Sequence, residues 1–379
     1  MAKATTTNSF FNAIEDAQWD VLMACAAIGL ALFGIVMVYS ASGVIGQERF
    51  NNSFYFVSRQ VVWAVLGLIA LVVLMRIDYQ RYASPTLILL MLAVSAFLLI
   101  AVFFFGARNG AHRWISFGKF SAQPSELAKI TFIFFMAYFL TRRNEDGEEA
   151  SFQSTFLPAG MVTAVFAFLI LREPDLGTTL MIGVIFVAMM VAGRVPWFHF
   201  LTLVPVALIG FWWLILRTPW RAGRLTAFLD PSSDPRGKGY QILQSLYAVA
   251  SGGVSGTGLG SGKQKLYYLP EPHSDFIFAV IGEELGFIGT LIVVLVFGLL
   301  MWRCLKASFN APDRFGQLLG IGLTTMLIAQ AFFNMSVVLS LVPTKGIPLP
   351  FVSAGGSSLL FALAAIGILL NISEQARQN

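Results

Sequence analysis

Asp275 is the residue of this chain best placed for proton chemistry. It stands in LPEPHSDFIFAVIGEELG (269–286), after Glu271 and His273 and ahead of Glu283 and Glu284, where polar residues meet an otherwise apolar stretch. An ionisable group beside hydrocarbon is costly and is usually placed for a purpose. A carboxylate there can serve as a general base. It can equally cap the helix running on from Phe276, a role Asp fills well, and spacing leaves both readings open.

The second cluster is QPSELAK (123–129), in which Glu126 and Lys129 stand three apart on a helix that begins after Pro124. They share one helix face and can pair. Such a pair either holds helices together or, with Arg113 just before it, lines a polar cleft that opens outward. Asp175 in REPDLGT (172–178) lies between Pro174 and the small residues Gly177 and Thr178, and reads first as a turn residue. His112, His199 and His273 are scattered, and Cys25 and Cys304 sit in or at the edge of apolar runs, so neither a metal cluster nor a disulfide framework is indicated. The glycine run GGVSGTGLGSG (252–262) lacks the strand-to-helix setting of a nucleotide motif and implies tight turns or close backbone approach.

The elements that must position these residues are membrane-spanning helices. Of 379 residues, 57% are apolar and 12% charged, and the mean hydropathy is +0.74. A water-soluble core of this length does not need that balance, so the bilayer is the solvent for most of the chain. Ten apolar runs are long enough to span: 20–43, 59–76, 85–105, 125–141, 157–171, 176–193, 199–216, 285–304, 317–341 and 356–373. The first follows Glu15 and Asp16 and is too long for a signal peptide, so it reads as a retained helix. The expected fold is an all-α integral membrane protein, one polytopic domain over 1–379, with an N-terminal tail (1–19), a large outer loop (217–284) between spans seven and eight, and a C-terminal tail (374–379). An even number of spans puts both termini on one side, taken as cytoplasmic.

Charge supports that orientation in part. Arg76, Arg81, Arg142, Arg143, Arg194, Arg303, Lys306 and Arg314 fall inside, as the positive-inside rule asks. Arg108, Arg113 and Lys119, and in the long loop Arg217, Arg221, Arg224, Arg236, Lys238, Lys263 and Lys265, fall outside. This outer base meets either lipid phosphates or an anionic ligand. The net charge of +5, without basic runs interleaved with aromatics, gives no case for nucleic acid. Two loops, 109–126 and 342–358, mix Pro, Gly and polar residues at span boundaries and are expected to line cavities. Residues 241–250 read as a short amphipathic helix in the interface.

Four segments together resemble the SEDS family of cell-wall polymerases: NGAHRWISFGKFSAQPSELAK (109–129), REPDLGT, the run from DPSSDPRGKGYQILQS (230–245) through GTGLGSGKQKLYYLPEPHSDFIFAVIGEELG (256–286), and PTKGIPLPFVSAGGSSLL (343–360). They lie in the family's order over most of the chain. KQKLYYLPEPHSDFIF and PTKGIPLPFVSAGGSS are closer to the cell-division type, FtsW, than to the elongation type, RodA. Two positions depart from the family pattern: Ala354, commonly Tyr, and Glu173, usually Gln or another polar residue.

The resemblance implies a glycosyltransferase that polymerises lipid II, the undecaprenyl-pyrophosphate-linked disaccharide pentapeptide, at the outer face of the cytoplasmic membrane, with the division septum as its place. Asp275 matches the family's essential aspartate and is the expected base, while Arg113, Lys129 and Lys265 are expected to face the pyrophosphate. Gln123, Ser125, Glu126, Glu271, His273, Lys345 and Ser353, in the same motifs, are the further expected substrate contacts. A divalent cation, Mg or Mn, could share the pyrophosphate charge, with Asp275 as its contact. The implied partners are a class B penicillin-binding protein as transpeptidase and other division proteins. Two other functions compete: a flippase for lipid II, which would carry ionisable residues along the whole depth of its path, and a non-catalytic division scaffold, which would tolerate loss of Asp275.

Overall fold

Each of the ten apolar runs becomes a helix, because a chain in hydrocarbon must satisfy its backbone polar groups within the segment. In the computed structural model residues 19–106, 111–117, 120–145 and 151–378 are described. The expected positions Arg108 and Lys119, and all of the N-terminal tail before Trp19, lie outside them. Among the described residues seven helices are long and apolar enough to cross a membrane. In chain order they include α1 (Val21–Phe50), α2 (Tyr55–Arg76), α3 (Pro85–Ala101), α5 (Leu157–Arg172), α11 (Ile277–Phe309), α12 (Arg314–Val338) and α13 (Ser357–Gln378). Two shorter apolar stretches, α6 (Leu176–Ala192) and Trp197–Phe211, whose second part is α7 (Leu203–Phe211), fill the sixth and seventh places. The fourth is α4 (Pro124–Glu145), which carries Glu126 and Lys129 near one end and Arg142 and Arg143 near the other.

Three more helices form between α7 and α11. They are α8 (Pro219–Leu229), α9 (Tyr240–Gly252) and the single turn α10 (Gln264–Tyr267). The expected loop 217–284 is therefore shorter at its end, because α11 begins at Ile277 and not at 285. Glu283 and Glu284 made those turns look polar, but both are buried with their oxygens met by hydrogen-bond donors, so the helix continues through them. At the chain's end α13 runs on to Gln378, so residues 374–378 of the expected tail are helical. A short antiparallel hairpin, which no sequence periodicity announced, pairs β1 (Ile115–Phe117) with β2 (Phe120–Ala122), Ile115 opposite Ala122.

α9 buries Ile242, Ser245, Ala248 and Gly252, one stripe at three- and four-residue spacing, against the first turns of α11. It thus packs on protein along that stripe, and Ser245 Oγ donates to Val338 O at 2.7 Å. Helix α11 is broken at Gly286, whose φ of 66° lies in the left-handed region that favours glycine. A side chain there would meet Val254 O at 2.6 Å. The glycine-rich stretch closes on this break through Phe287 N to Gly253 O at 2.9 Å and Thr257 N to Glu283 O at 3.0 Å, which is the close backbone approach the glycines implied. α2 and α13 also touch tightly, since a Cβ on Gly367 would stand 2.5 Å from Leu71 O.

Lys129 and Glu126 are both buried. Lys129 Nζ donates to Glu126 Oε1 at 2.9 Å and to Gln330 Oε1 of α12 at 2.8 Å. Gln330 Nε2 in turn donates to Pro348 O at 3.1 Å. The pair therefore holds the 343–356 connection to the bundle and does not open into a cleft. Losing one partner of a buried pair strands a charge and costs about 3–5 kcal/mol. Lys129→Met should accordingly lower the thermal unfolding midpoint of the detergent-solubilised protein strongly, and the double variant Glu126→Leu/Lys129→Met should recover most of the loss.

Candidate active site

Asp275 sits just before α11, on the wall of a cavity of about 920 Å³. The capping reading fails: the residue at the helix start is Phe276, and no side chain caps the helix. Instead the Asp275 segment is clamped from behind. Asn334 Nδ2 of α12 donates to Asp275 O at 2.9 Å and to Ile347 O at 2.7 Å. Ser353 Oγ donates to Ser274 O at 2.7 Å, and Ala354 N to His273 O at 2.9 Å. These bonds leave the carboxylate facing the cavity, where its side-chain hydrogen bond comes from Ser274 Oγ at 3.2 Å. A Cβ on Gly346 would stand 2.8 Å from Asp275 Oδ2, so only a glycine leaves room for the carboxylate as it lies.

Burial pushes the Asp275 carboxyl up to about 6, and the Ser274 hydroxyl offsets part of that rise; Glu271 adds to it, while Arg113 and Arg224 oppose it. A carboxylate with this value is ionised at neutral pH and still basic enough to accept a proton.

Cations from three elements surround it. Arg113 precedes β1, its Nε donating to Glu173 O at 3.2 Å and its Nη2 to Pro174 O. Arg221 and Arg224 come from α8, both within cation–π reach of Trp220, at 4.9 and 5.2 Å from the ring centroid. Lys345 comes from the connection after α12. Burial lowers the pKa of Arg221 and Arg224, and the charge of Arg113 lowers both further. Burial likewise lowers Lys345. Cations held within each other's field at the rim of a cavity are a receptor for an anion.

Of the expected contacts, Arg113, Gln123, Glu271 and Lys345 line this cavity with Asp275. Gln123 Nε2 donates to Ser125 Oγ at 2.9 Å and to Asp175 Oδ2 at 3.0 Å, tying the hairpin to the 172–178 turn. Asp175 lines the cavity and also caps α6, accepting from Thr178 N at 3.0 Å, so the turn reading was sound and incomplete. Six expected contacts do not line it. Glu126 and Lys129 pair inside the bundle, and Ser125 is buried at the start of α4. Lys265 is buried against Glu284 and Ser40, drawn there by the carboxylate. Ser353 is buried, bracing Ser274, and His273 turns to the opposite side of its segment, its ring centroid 4.3 Å from Phe56.

Sequence reasoning noted Arg221 and Arg224 as outer base and missed them as a site. Their signal was present: Pro219 is a good first helical residue, and Trp220, Arg221 and Arg224 then share one helix face. It also missed Glu173, fully buried with both carboxylate oxygens unpartnered. Burial pushes that acid up to about 9, Asp175 adds to the rise and Arg113 opposes it, so it is neutral at physiological pH. Among the described residues no three of His, Cys, Asp and Glu group as a metal site. Asp175, Glu271 and Asp275 are the carboxylates on the cavity wall that could meet a hard cation.

The chain's relatives carry the same sequence order over nearly its whole length. It is 44% identical to "Stage V sporulation protein E" of Bacillus subtilis (strain 168), over 94% of this chain and 98% of that one. It is 42% identical to the "Probable peptidoglycan glycosyltransferase FtsW" of Geobacter metallireducens, over 98% of each. Among solved structures, a chain of "a peptidoglycan synthase complex" superposes with a TM-score of 0.77 at 27% identity, covering 95% of this chain and 99% of that one. The rod shape determining protein RodA of Thermus thermophilus superposes with 0.69 at 26% identity, covering 94% and 96%. With the family profile described as "Cell cycle protein" matching residues 20–378, from the first helix to the last, the chain belongs to the FtsW, RodA and SpoVE family of membrane proteins.

Proposed function

We propose that this protein is a peptidoglycan glycosyltransferase that polymerises lipid II at the outer face of the cytoplasmic membrane. The observation that carries the reading is a clamped carboxylate, Asp275, facing a cavity that also holds Arg113, Arg221, Arg224 and Lys345. The relatives named as peptidoglycan glycosyltransferases support the reaction class.

The chemistry follows from those groups. Asp275 takes the proton of the attacking sugar 4-hydroxyl, whose oxygen forms a bond to the anomeric carbon of the donor. The bond from that carbon to the phosphate oxygen breaks, and the pyrophosphate leaves with the electron pair. Inversion needs only one base when the leaving group is already good. Preorganised cations oppose the charge that develops on the pyrophosphate. A Mg or Mn ion held by Asp275 would supply further positive charge at the same place.

The flippase reading is weaker. Every charged residue lining the cavity comes from α8 or from connections at one end of the bundle. The similarity to a chain of a complex that joins polymerisation to crosslinking supports a transpeptidase partner, a class B penicillin-binding protein, with other division proteins at the septum.

Asp275→Asn should abolish strand formation from purified lipid II while leaving the protein no less heat-stable, because ionising a carboxyl whose pKa is raised on folding costs stability at neutral pH. Retained polymerisation would remove Asp275 as the base. Since the carboxylate form is the active one, kcat/KM should fall as pH drops through about 6; a pH-rate profile flat across that range contradicts the assignment. Gly346→Ala should reduce kcat by roughly tenfold or more with little change in KM, the price of shifting the base by a fraction of an ångström. Arg224→Gln should raise KM for lipid II by about tenfold, the scale of one charged hydrogen bond, and unchanged kinetics would exclude the cation cluster from substrate binding.

A further inference from the structure

A second cavity of about 850 Å³ opens beside the first. The two share a wall made of Trp220, Arg224, Gln241, Pro270, Glu271 and Thr344. The segment 270–275 is the partition, and its residues divide between the two: Pro270 and Glu271 border both, Pro272 and His273 face the second cavity, and Ser274 and Asp275 face the first. The second cavity has its own cations. Arg49 comes from the end of α1, and Arg236 and Lys238 from the turn before α9; with Arg224 they outnumber the carboxylates Glu48 and Glu271. Lys238 is laid across α8 at Gly223, where a Cβ would meet its Nζ at 2.8 Å. Burial lowers the pKa of His273, Glu271 opposes that shift and Arg49 adds to it. Phe50, Phe56, Trp220 and Tyr268 supply flat apolar walls of the kind that take sugar rings.

A strand grows only if two pyrophosphate-linked sugars meet at one base. The substrate that loses its pyrophosphate needs the cations around Asp275. The one that offers its hydroxyl keeps its own pyrophosphate, and because that hydroxyl is on the distal sugar the anion must sit a disaccharide's length away. We infer that the second cavity is the acceptor site: Arg49, Arg236 and Lys238 hold the acceptor's pyrophosphate, and its sugar crosses the 270–275 partition to bring the 4-hydroxyl to Asp275. This rests on the polymerase reading above. The same cations could hold the phosphate of an ordinary phospholipid headgroup, and the test separates the two.

The full-length protein in detergent, with its transpeptidase partner, is given lipid II together with lipid II whose 4-hydroxyl is blocked, which can act only as donor. In Arg49→Gln/Lys238→Gln the KM for unblocked lipid II at saturating blocked donor should rise at least tenfold, the half-saturating concentration of the blocked donor should stay within twofold, and Arg49→Lys/Lys238→Arg should restore the wild-type value. Added phosphatidylglycerol should not compete with unblocked lipid II in the wild type. Unchanged acceptor KM in the Gln variant, an equal rise for both substrates, failure of the conservative variant to restore it, or competition by phosphatidylglycerol overturns the acceptor site. Wild-type protein that makes no strands at all takes down the polymerase reading and this one with it.

Discussion

Two adjacent carboxylates in the first turns of α11 decide where the segment between α7 and α11 lies, and with it the candidate site. Glu283 Oε1 accepts from Lys263 N at 2.6 Å and Gln264 N at 3.1 Å. Glu284 accepts from Gly260 N at 3.1 Å, from Ser40 Oγ of α1 at 2.8 Å and from Lys265 Nζ. A buried carboxylate is tolerable only when its lone pairs are met, so the glycine-rich stretch must fold back onto the helix that Asp275 precedes. The glycines make this possible by letting backbone reach backbone at the Gly286 break. One electrostatic demand thus ties α1, α10 and α11 together next to the segment that carries Asp275.

The cavity inherits its precision from bonds that never touch a substrate. Asn334, Ser353 and the main chain of 343–356 hold the Asp275 segment from one side, and Lys129 through Gln330 holds that connection in turn. Gln60 Nε2 of α2 adds a bond to Ser353 O at 3.1 Å. The result is a carboxylate on a rigid support, facing a cavity lined by cations, as the proposed base requires. Several motif residues expected at the substrate are in fact this support, which accounts for their company in the same motifs.

Helix existence was legible because hydrocarbon imposes one rule on every span, and a run of apolar residues can answer it only as a helix. Ends were less legible: α11 starts earlier than its hydropathy suggests, since Glu283 and Glu284 look polar until their partners are known. Trp220, Arg221 and Arg224 were hidden inside what read as a loop, although their helical spacing was on view.

By itself the sequence determined an all-helical membrane protein, a large segment between the seventh and eighth spans, and Asp275 as the residue to watch, because hydropathy and local spacing act within a few turns of chain. Only the tertiary structure decided which charges face the cavity and which face each other. Lys129, Lys265 and Arg224 carry the same charge, but the first two are consumed by buried carboxylates from α4 and α11 while the third lines the cavity with Asp275. That allocation depends on contacts between residues far apart in the chain, and no local pattern encodes them.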